Sequence, residues 1–146
     1  MGISHRHMKV PKAVQNAHKV AINARRHSHS PYSAFAVGAA IQLKGVKTAI
    51  GGCNIENASF GGTICAERVA LHSAVATHGE INPEFVLVVT GEKKATVPCA
   101  ICLQTLAEFC TDECLIYLAN EKEVLREYRF SELLPHPFRI FKKDKR

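Results

Sequence analysis

Two cysteine motifs 34 positions apart, Cys65-Ala66-Glu67 and Pro98-Cys99-Ala100-Ile101-Cys102, constrain this chain more than anything else in it. Three thiolates can fill three tetrahedral positions around a zinc ion and leave the fourth to a water whose pKa the metal lowers toward neutrality. A glutamate two residues from one ligand is then placed to shuttle that water's proton. A Cys-x-x-Cys pair alone reads equally as a redox motif or as two core cysteines; the Cys-x-Glu upstream of it favours zinc, one ion per chain.

The rest of the composition fits a single domain spanning residues 1–146. With 47% hydrophobic residues the chain can bury one core. No run approaches the roughly 18 apolar residues of a membrane span. The N-terminus carries no charged-then-apolar signal segment, and Arg6 stands where a myristoylation motif wants Ser or Thr. A cytoplasmic protein is expected. Cys53, Cys110 and Cys114 then read as ordinary core thiols, because a reducing compartment disfavours disulfides. The net charge of +6 raises nucleic-acid binding as a reading. Much of that charge lies at the two ends, including Arg6, Lys9, Lys12, Arg139, Lys142, Lys143, Lys145 and Arg146. Flexible tails at about 1–9 and 139–146 explain it more simply, so a nucleic-acid partner is not expected.

Strand and helix signals alternate. Val14, Ala17, His18, Ala21 and Ile22 recur at helical spacing and predict an amphipathic helix over about 11–26. Runs from Phe35 to Leu43 and from Thr48 to Cys53 predict two strands joined by a turn at Lys44-Gly45. A helix is predicted from Thr63, as N-cap, to about His78, and a strand over Phe85–Val89. A helix from Pro98 to Cys110, a strand over Leu115–Leu118 and a last helix over Glu121–Tyr128 follow, before an irregular end at Leu133-Leu134-Pro135. Both cysteine motifs thus fall at helix starts, where unpaired N–H groups and the positive dipole end favour thiolates. Pro98 suits such a start because it needs no donor there.

Several further segments follow one another in a familiar order: Ser30-Pro31-Tyr32-Ser33-Ala34-Phe35, Val37-Gly38-Ala39-Ala40, Gly52-Cys53-Asn54-Ile55-Glu56-Asn57-Ala58-Ser59 and Thr63-Ile64-Cys65-Ala66-Glu67-Arg68. From about Val10 to Phe138 the chain resembles the cytidine deaminases, in their short, homotetrameric, three-cysteine class. The resemblance implies an α/β fold, a three-layer α/β/α sandwich around a mixed five-stranded sheet. It implies Cys65, Cys99 and Cys102 as zinc ligands and Glu67 as the catalytic acid/base. Arg68 matches the arginine that donates hydrogen bonds to the thiolates. Asn54 and Glu56, with Ile55 between them, match the residues that bind the ribose 3′-hydroxyl. Phe35 matches the ring that packs on the pyrimidine, and Phe138 the C-terminal aromatic that a neighbouring subunit supplies. The Ala66 N–H is implied to bind the C2 carbonyl, and the Val97 carbonyl to orient the departing amine.

The implied reaction is hydrolytic deamination of cytidine and deoxycytidine in pyrimidine salvage. Glu67 takes a proton from the activated water and passes it to ring N3, oxygen joins C4, and ammonia leaves after a second transfer. The chain departs from the family pattern at Ala100 and Leu103, where Gly and Arg are usual, and at Phe60, where Tyr is common. Those departures keep a second reading open, a related deaminase of a blasticidin S-like or modified nucleoside. A cytosine-editing protein acting on nucleic acid is a third, but the chain lacks an aromatic-rich basic groove for single strands.

Overall fold

In the computed structural model, which describes residues 8–139, four helices and five strands follow one another along the chain. They are α1 (Lys12–Arg25), β1 (Gly38–Leu43), β2 (Ile50–Cys53), α2 (Ala66–His78), β3 (Pro83–Thr90), α3 (Ala100–Leu106), β4 (Leu115–Asn120), β5 (Val124–Arg129) and the single turn α4 (Phe130–Leu133). The strands form one sheet in the order β2-β1-β3-β4-β5. β3 and β4 pair in parallel and every other neighbour is antiparallel, so the sheet is mixed.

Residues buried on both faces of the inner strands explain the layering. On one face Ala39, Ile41, Val86, Val88, Ile116 and Leu118 pack with Ala66, Ala70 and Leu71 of α2 and Leu103 and Leu106 of α3. On the other, Ala40, Leu87, Val89 and Tyr117 pack with Val14, Ala17 and Ala21 of α1. Successive residues of β1, β3 and β4 point to opposite faces, so alternate side chains feed alternate cores. The result is the expected α/β/α arrangement: α1 covers one face, and α2 with α3 covers the other.

Two glycines permit the closest approaches. A Cβ on Gly38 would stand 2.0 Å from the Ala21 carbonyl, and one on Gly52 2.4 Å from the Ala70 nitrogen. Those contacts set α1 and α2 against the start of β1 and the end of β2.

The structure corrects the last predicted helix. Residues 124–129 form an edge strand, paired from Leu115↔Arg129 to Ala119↔Val124. Asn120 Oδ1 accepts the N–H groups of Lys122 and Glu123 and closes the hairpin turn. Pairing with β4 overrides a Val-Leu-Arg-Glu-Tyr run whose local spacing also suits a helix. Other boundaries move too. β1 begins at Gly38 and leaves Phe35 outside the ladder, α3 stops at Leu106, and the cap of α2 is Cys65 instead of Thr63. Cys110 and Cys114 are buried as expected, whereas Cys53 is half-buried. Most of the residues expected to form flexible tails lie outside the described residues.

Candidate metal centre and active site

Cys65 is the N-cap of α2, Cys99 is the N-cap of α3, and Cys102 lies on the first turn of α3. Extended backbone at each cap turns into a helix there, so the three side chains converge beside unpaired N–H groups. The Cys102 N–H donates to Cys99 Sγ at 3.4 Å. Cys65 Sγ and Cys99 Sγ are 3.9 Å apart, Cys99 Sγ and Cys102 Sγ 3.4 Å, and all three sulfurs lie within 4.8 Å of one another. Tetrahedral zinc–sulfur bonds of about 2.3 Å put ligand sulfurs about 3.8 Å apart, so the donor set fits a zinc ion. It is the one cluster of this kind among the described residues.

Crowding of the thiols shapes their protonation. A hydrogen bond from Cys102, joined by the Arg68 guanidinium, pulls the Cys65 thiol down to about 5. The same contact with Cys65, together with burial, pushes Cys102 up. Arg68 Nη2 donates to the Thr63 carbonyl at 3.2 Å and to Cys65 Sγ at 3.7 Å. Its Nε is buried with no partner among the described residues.

Glu67, in the first turn of α2, is 5% exposed. Burial pushes its carboxyl up to about 7, and the charge on Cys65 adds to the rise. Beside it opens a cavity of about 440 Å³ lined by Cys65, Ala66, Glu67 and Cys99 and by Phe35, Asn54, Glu56 and Val97 among others. That volume lies in the range of small-molecule sites. A buried carboxyl and two of the three potential metal ligands, Cys65 and Cys99, therefore line one organic-molecule-sized space.

The family model for the "cytidine and deoxycytidylate deaminase zinc-binding region" matches residues 11–118. The chain belongs to the cytidine and deoxycytidylate deaminase family. Its relatives include a cytidine deaminase of Halalkalibacterium halodurans, 43% identical over 120 residues that make up 82% of this chain and 89% of that protein. A cytidine deaminase of Sporosarcina psychrophila is 38% identical over 131 residues, 90% of this chain and 92% of that one. The crystal structure of a cytidine deaminase from Burkholderia pseudomallei superposes with a TM-score of 0.76 at 36% identity, covering 85% of this chain and 98% of the other. Zinc is the cofactor of this deaminase family, and Cys65, Cys99 and Cys102 can hold it here. No helix of the described residues is long and apolar enough to cross a membrane.

Most residues singled out by resemblance to the deaminases meet at the cavity: Phe35, Asn54, Glu56, Ala66 and Val97 all line it. Two do not. Ile55 is outside the lining, and its N–H and carbonyl are taken by Ile64, at 2.9 Å each. Phe138 is 69% exposed and also stands apart from this chain's cavity.

Asn54 and Glu56 carry internal duties as well. Asn54 Oδ1 accepts from the Val37 N–H at 2.9 Å and from Ser28 Oγ, while its Nδ2 donates to the Phe35 carbonyl at 2.8 Å. The half-buried Glu56 carboxylate accepts the N–H of Tyr32 at 2.8 Å, the N–H of Ser33 at 3.2 Å and the Ser33 hydroxyl. These bonds, the Ser33 hydroxyl foremost, hold its pKa below the usual carboxylate range.

The departures from the family pattern also find places. Leu103 packs in the core beneath α3, and the Ala100 methyl sits at an exposed first helical position. Phe60 is 72% exposed on a short 3-10 turn and meets Tyr32 edge-on, with ring centres 5.5 Å apart. Ser33, Val37, Val88, Thr90 and Thr96 also line the cavity. Ser33 and Val37 belong to recognisable segments; Val88, Thr90 and Thr96 carry no signal of chemistry in the sequence.

Proposed function

We propose that this chain is a single-domain cytidine deaminase of pyrimidine salvage, converting cytidine and deoxycytidine to uridine and deoxyuridine with release of ammonia. The observation that carries this reading is the buried Glu67 beside three converging thiols at a nucleoside-sized cavity. Zinc held by Cys65, Cys99 and Cys102 supplies Lewis-acid activation of the attacking water. Glu67 accepts that water's proton and returns it to ring N3, then helps protonate the amine that leaves C4. A carboxyl raised toward neutrality by burial suits transfer in both directions.

The remaining assignments concern binding. The Ala66 N–H, on the unpaired first turn of α2, donates to the C2 carbonyl. The Val97 carbonyl accepts from the departing amine, and the Phe35 ring packs on the base. Asn54 and Glu56 receive the ribose, with Ile55 setting their spacing along the chain. Arg68 offers charge-assisted hydrogen bonds to the thiolates, which limits their negative charge.

The site is completed in a homotetramer, where Phe138 of one subunit reaches the cavity of a neighbour. Supporting this, Tyr32, Phe60, Ile101 and Phe138 are each more than half exposed, an apolar excess that association would cover. Six free cysteines fit a cytoplasmic setting.

Ammonia release from cytidine, deoxycytidine, cytosine, adenosine, blasticidin S and a short cytosine-bearing oligonucleotide tests the reading. Turnover of the first two above the rest is expected. Exclusive turnover of blasticidin S or of the oligonucleotide would replace it.

A further inference from the structure

We infer that Arg25, at the end of α1 and outside the cavity lining, is a positioning residue that holds the cavity wall carrying Phe35. The inference rests on the reading of this cavity as the nucleoside site. Residues 35–37 precede the first strand, and apart from the Val37 carbonyl, which accepts from the Asn54 N–H at 3.2 Å, the hydrogen bonds to their polar groups come from side chains. The Phe35 N–H donates to Ser33 Oγ at 3.1 Å, and Asn54 clasps the Phe35 carbonyl and the Val37 N–H. The carbonyl between them, that of Ala36, accepts from Arg25 Nε at 2.8 Å. Just before this segment Ala34 adopts φ 56°, the one positive φ at a non-glycine among the described residues. Alanine pays strain in that conformation, and it persists where the surroundings hold it.

The guanidinium also reaches beyond that segment. Nη1 pairs with Glu121 at 2.6 Å, in the β4–β5 turn. Nη2 lies 2.8 Å from the place a Cβ on Gly91 would occupy, so a glycine there admits it. Gly91 directly follows Thr90, a cavity residue at the end of β3. One planar fork therefore spans the segment that carries Phe35 and the segment that leads to Thr96 and Val97. The Arg25–Glu121 pair is itself partly exposed, at 20% and 54% of the two side chains, and such pairs stabilise little. Its consequence is orientation: Glu121 fixes one edge of the fork while Nε meets Ala36.

Steady-state kinetics on cytidine with the zinc-loaded protein test this role. Arg25→Ala should raise KM about tenfold, equivalent to about 1.4 kcal/mol, the scale of one lost charge-assisted hydrogen bond, with kcat within about threefold. Arg25→Lys, which keeps a cation without the fork, should give an intermediate KM. In a Phe35→Ala background, Arg25→Ala should change KM by less than about twofold, since both act through one ring. Thermal melting of each variant establishes that it is folded at the assay temperature. If Arg25→Ala fails that check, Arg25→Lys decides, and a wild-type KM in it overturns the inference. An unchanged KM in folded Arg25→Ala, or an undiminished rise in the Phe35→Ala background, overturns it too. Wild-type protein inert toward cytidine would instead overturn the nucleoside reading, and this role with it.

Discussion

Gln104 and Phe138 are joined by a reciprocal pair of hydrogen bonds: Gln104 Nε2 donates to the Phe138 carbonyl at 2.6 Å, and the Phe138 N–H donates to Gln104 Oε1 at 3.0 Å. Gln104 lies two residues beyond Cys102 on α3, so the helix that carries two of the thiols also fixes the C-terminal segment. Arg139 adds an ion pair with Asp112 at 3.2 Å. The segment is thereby tied to α3 while the Phe138 ring stays exposed.

Phe138→Ala should raise KM for cytidine by the equivalent of about 1–3 kcal/mol, the scale of one base-stacking ring on single strands. Gln104→Ala should raise it in the same direction, and the double variant should show less than the sum, because both changes remove one contact. Light scattering run alongside should give a tetramer. An active monomer, or an unchanged KM in Phe138→Ala, would reject the shared site.

Metal analysis should find one zinc per chain. Cys99→Ala should lose most of the metal and the activity, since Cys99 Sγ lies close to both other sulfurs. Cys53→Ala, which removes a half-buried thiol outside the cluster, should keep both. Full zinc content in Cys99→Ala would dismiss it as a ligand.

Glu67→Gln should keep the fold and the zinc, because the amide has the carboxyl's shape, while kcat falls by at least about 10²–10⁴-fold, the usual worth of acid/base transfer. Near-normal turnover in zinc-loaded Glu67→Gln would assign the proton to another group.

How much of this was legible in the sequence differs from part to part. The thiols and Glu67 were, because metal chemistry demands particular residue types at short spacings, and Cys-x-Glu and Cys-x-x-Cys are local. The sheet order was not, since pairing between β3 and β4 joins segments separated by α3. β5 misled because Val124 to Tyr128 can satisfy a helical spacing, and only the neighbouring β4 decides otherwise. Asn54 was read as a ribose contact, yet it also braces residues 35–37, a duty that appears only when the loop and β2 are brought together. Thr90 and Thr96 reach the cavity from either side of a loop and share a contact of 3.3 Å that nothing in their spacing announces.

Glu56 should remain ionised further into acid than an ordinary carboxylate. Its pKa is lowered in the folded state, so the stability and affinity it contributes hold at and above the usual carboxylate range and fade as pH falls through the lowered value. KM for cytidine should therefore stay level through mildly acidic pH. Ser33→Ala removes the leading cause of the shift, the hydroxyl bond, and should move the acid-side rise in KM to higher pH. Identical KM profiles for the two proteins would count against Glu56 as the ribose acceptor tuned by Ser33.

Gly52→Ala should damage the metal centre from behind. The added Cβ would stand 2.4 Å from the Ala70 nitrogen and 2.7 Å from the Ala66 carbonyl. Both are backbone atoms of α2 and cannot rotate away, so the helix must shift, carrying Cys65 and Glu67 with it. Overpacking of this kind costs about 1–3 kcal/mol, which in a chain of this size lowers Tm by roughly 3–12 °C. Zinc content should fall with it, because Cys65 moves relative to Cys99 and Cys102 on α3. Gly61→Ala is the control: nothing lies within 4 Å of its added Cβ, and both Tm and zinc content should match wild type. A Gly52→Ala protein with unaltered melting and full zinc would mean that β2 yields instead of α2, and that the thiol cluster does not depend on this contact.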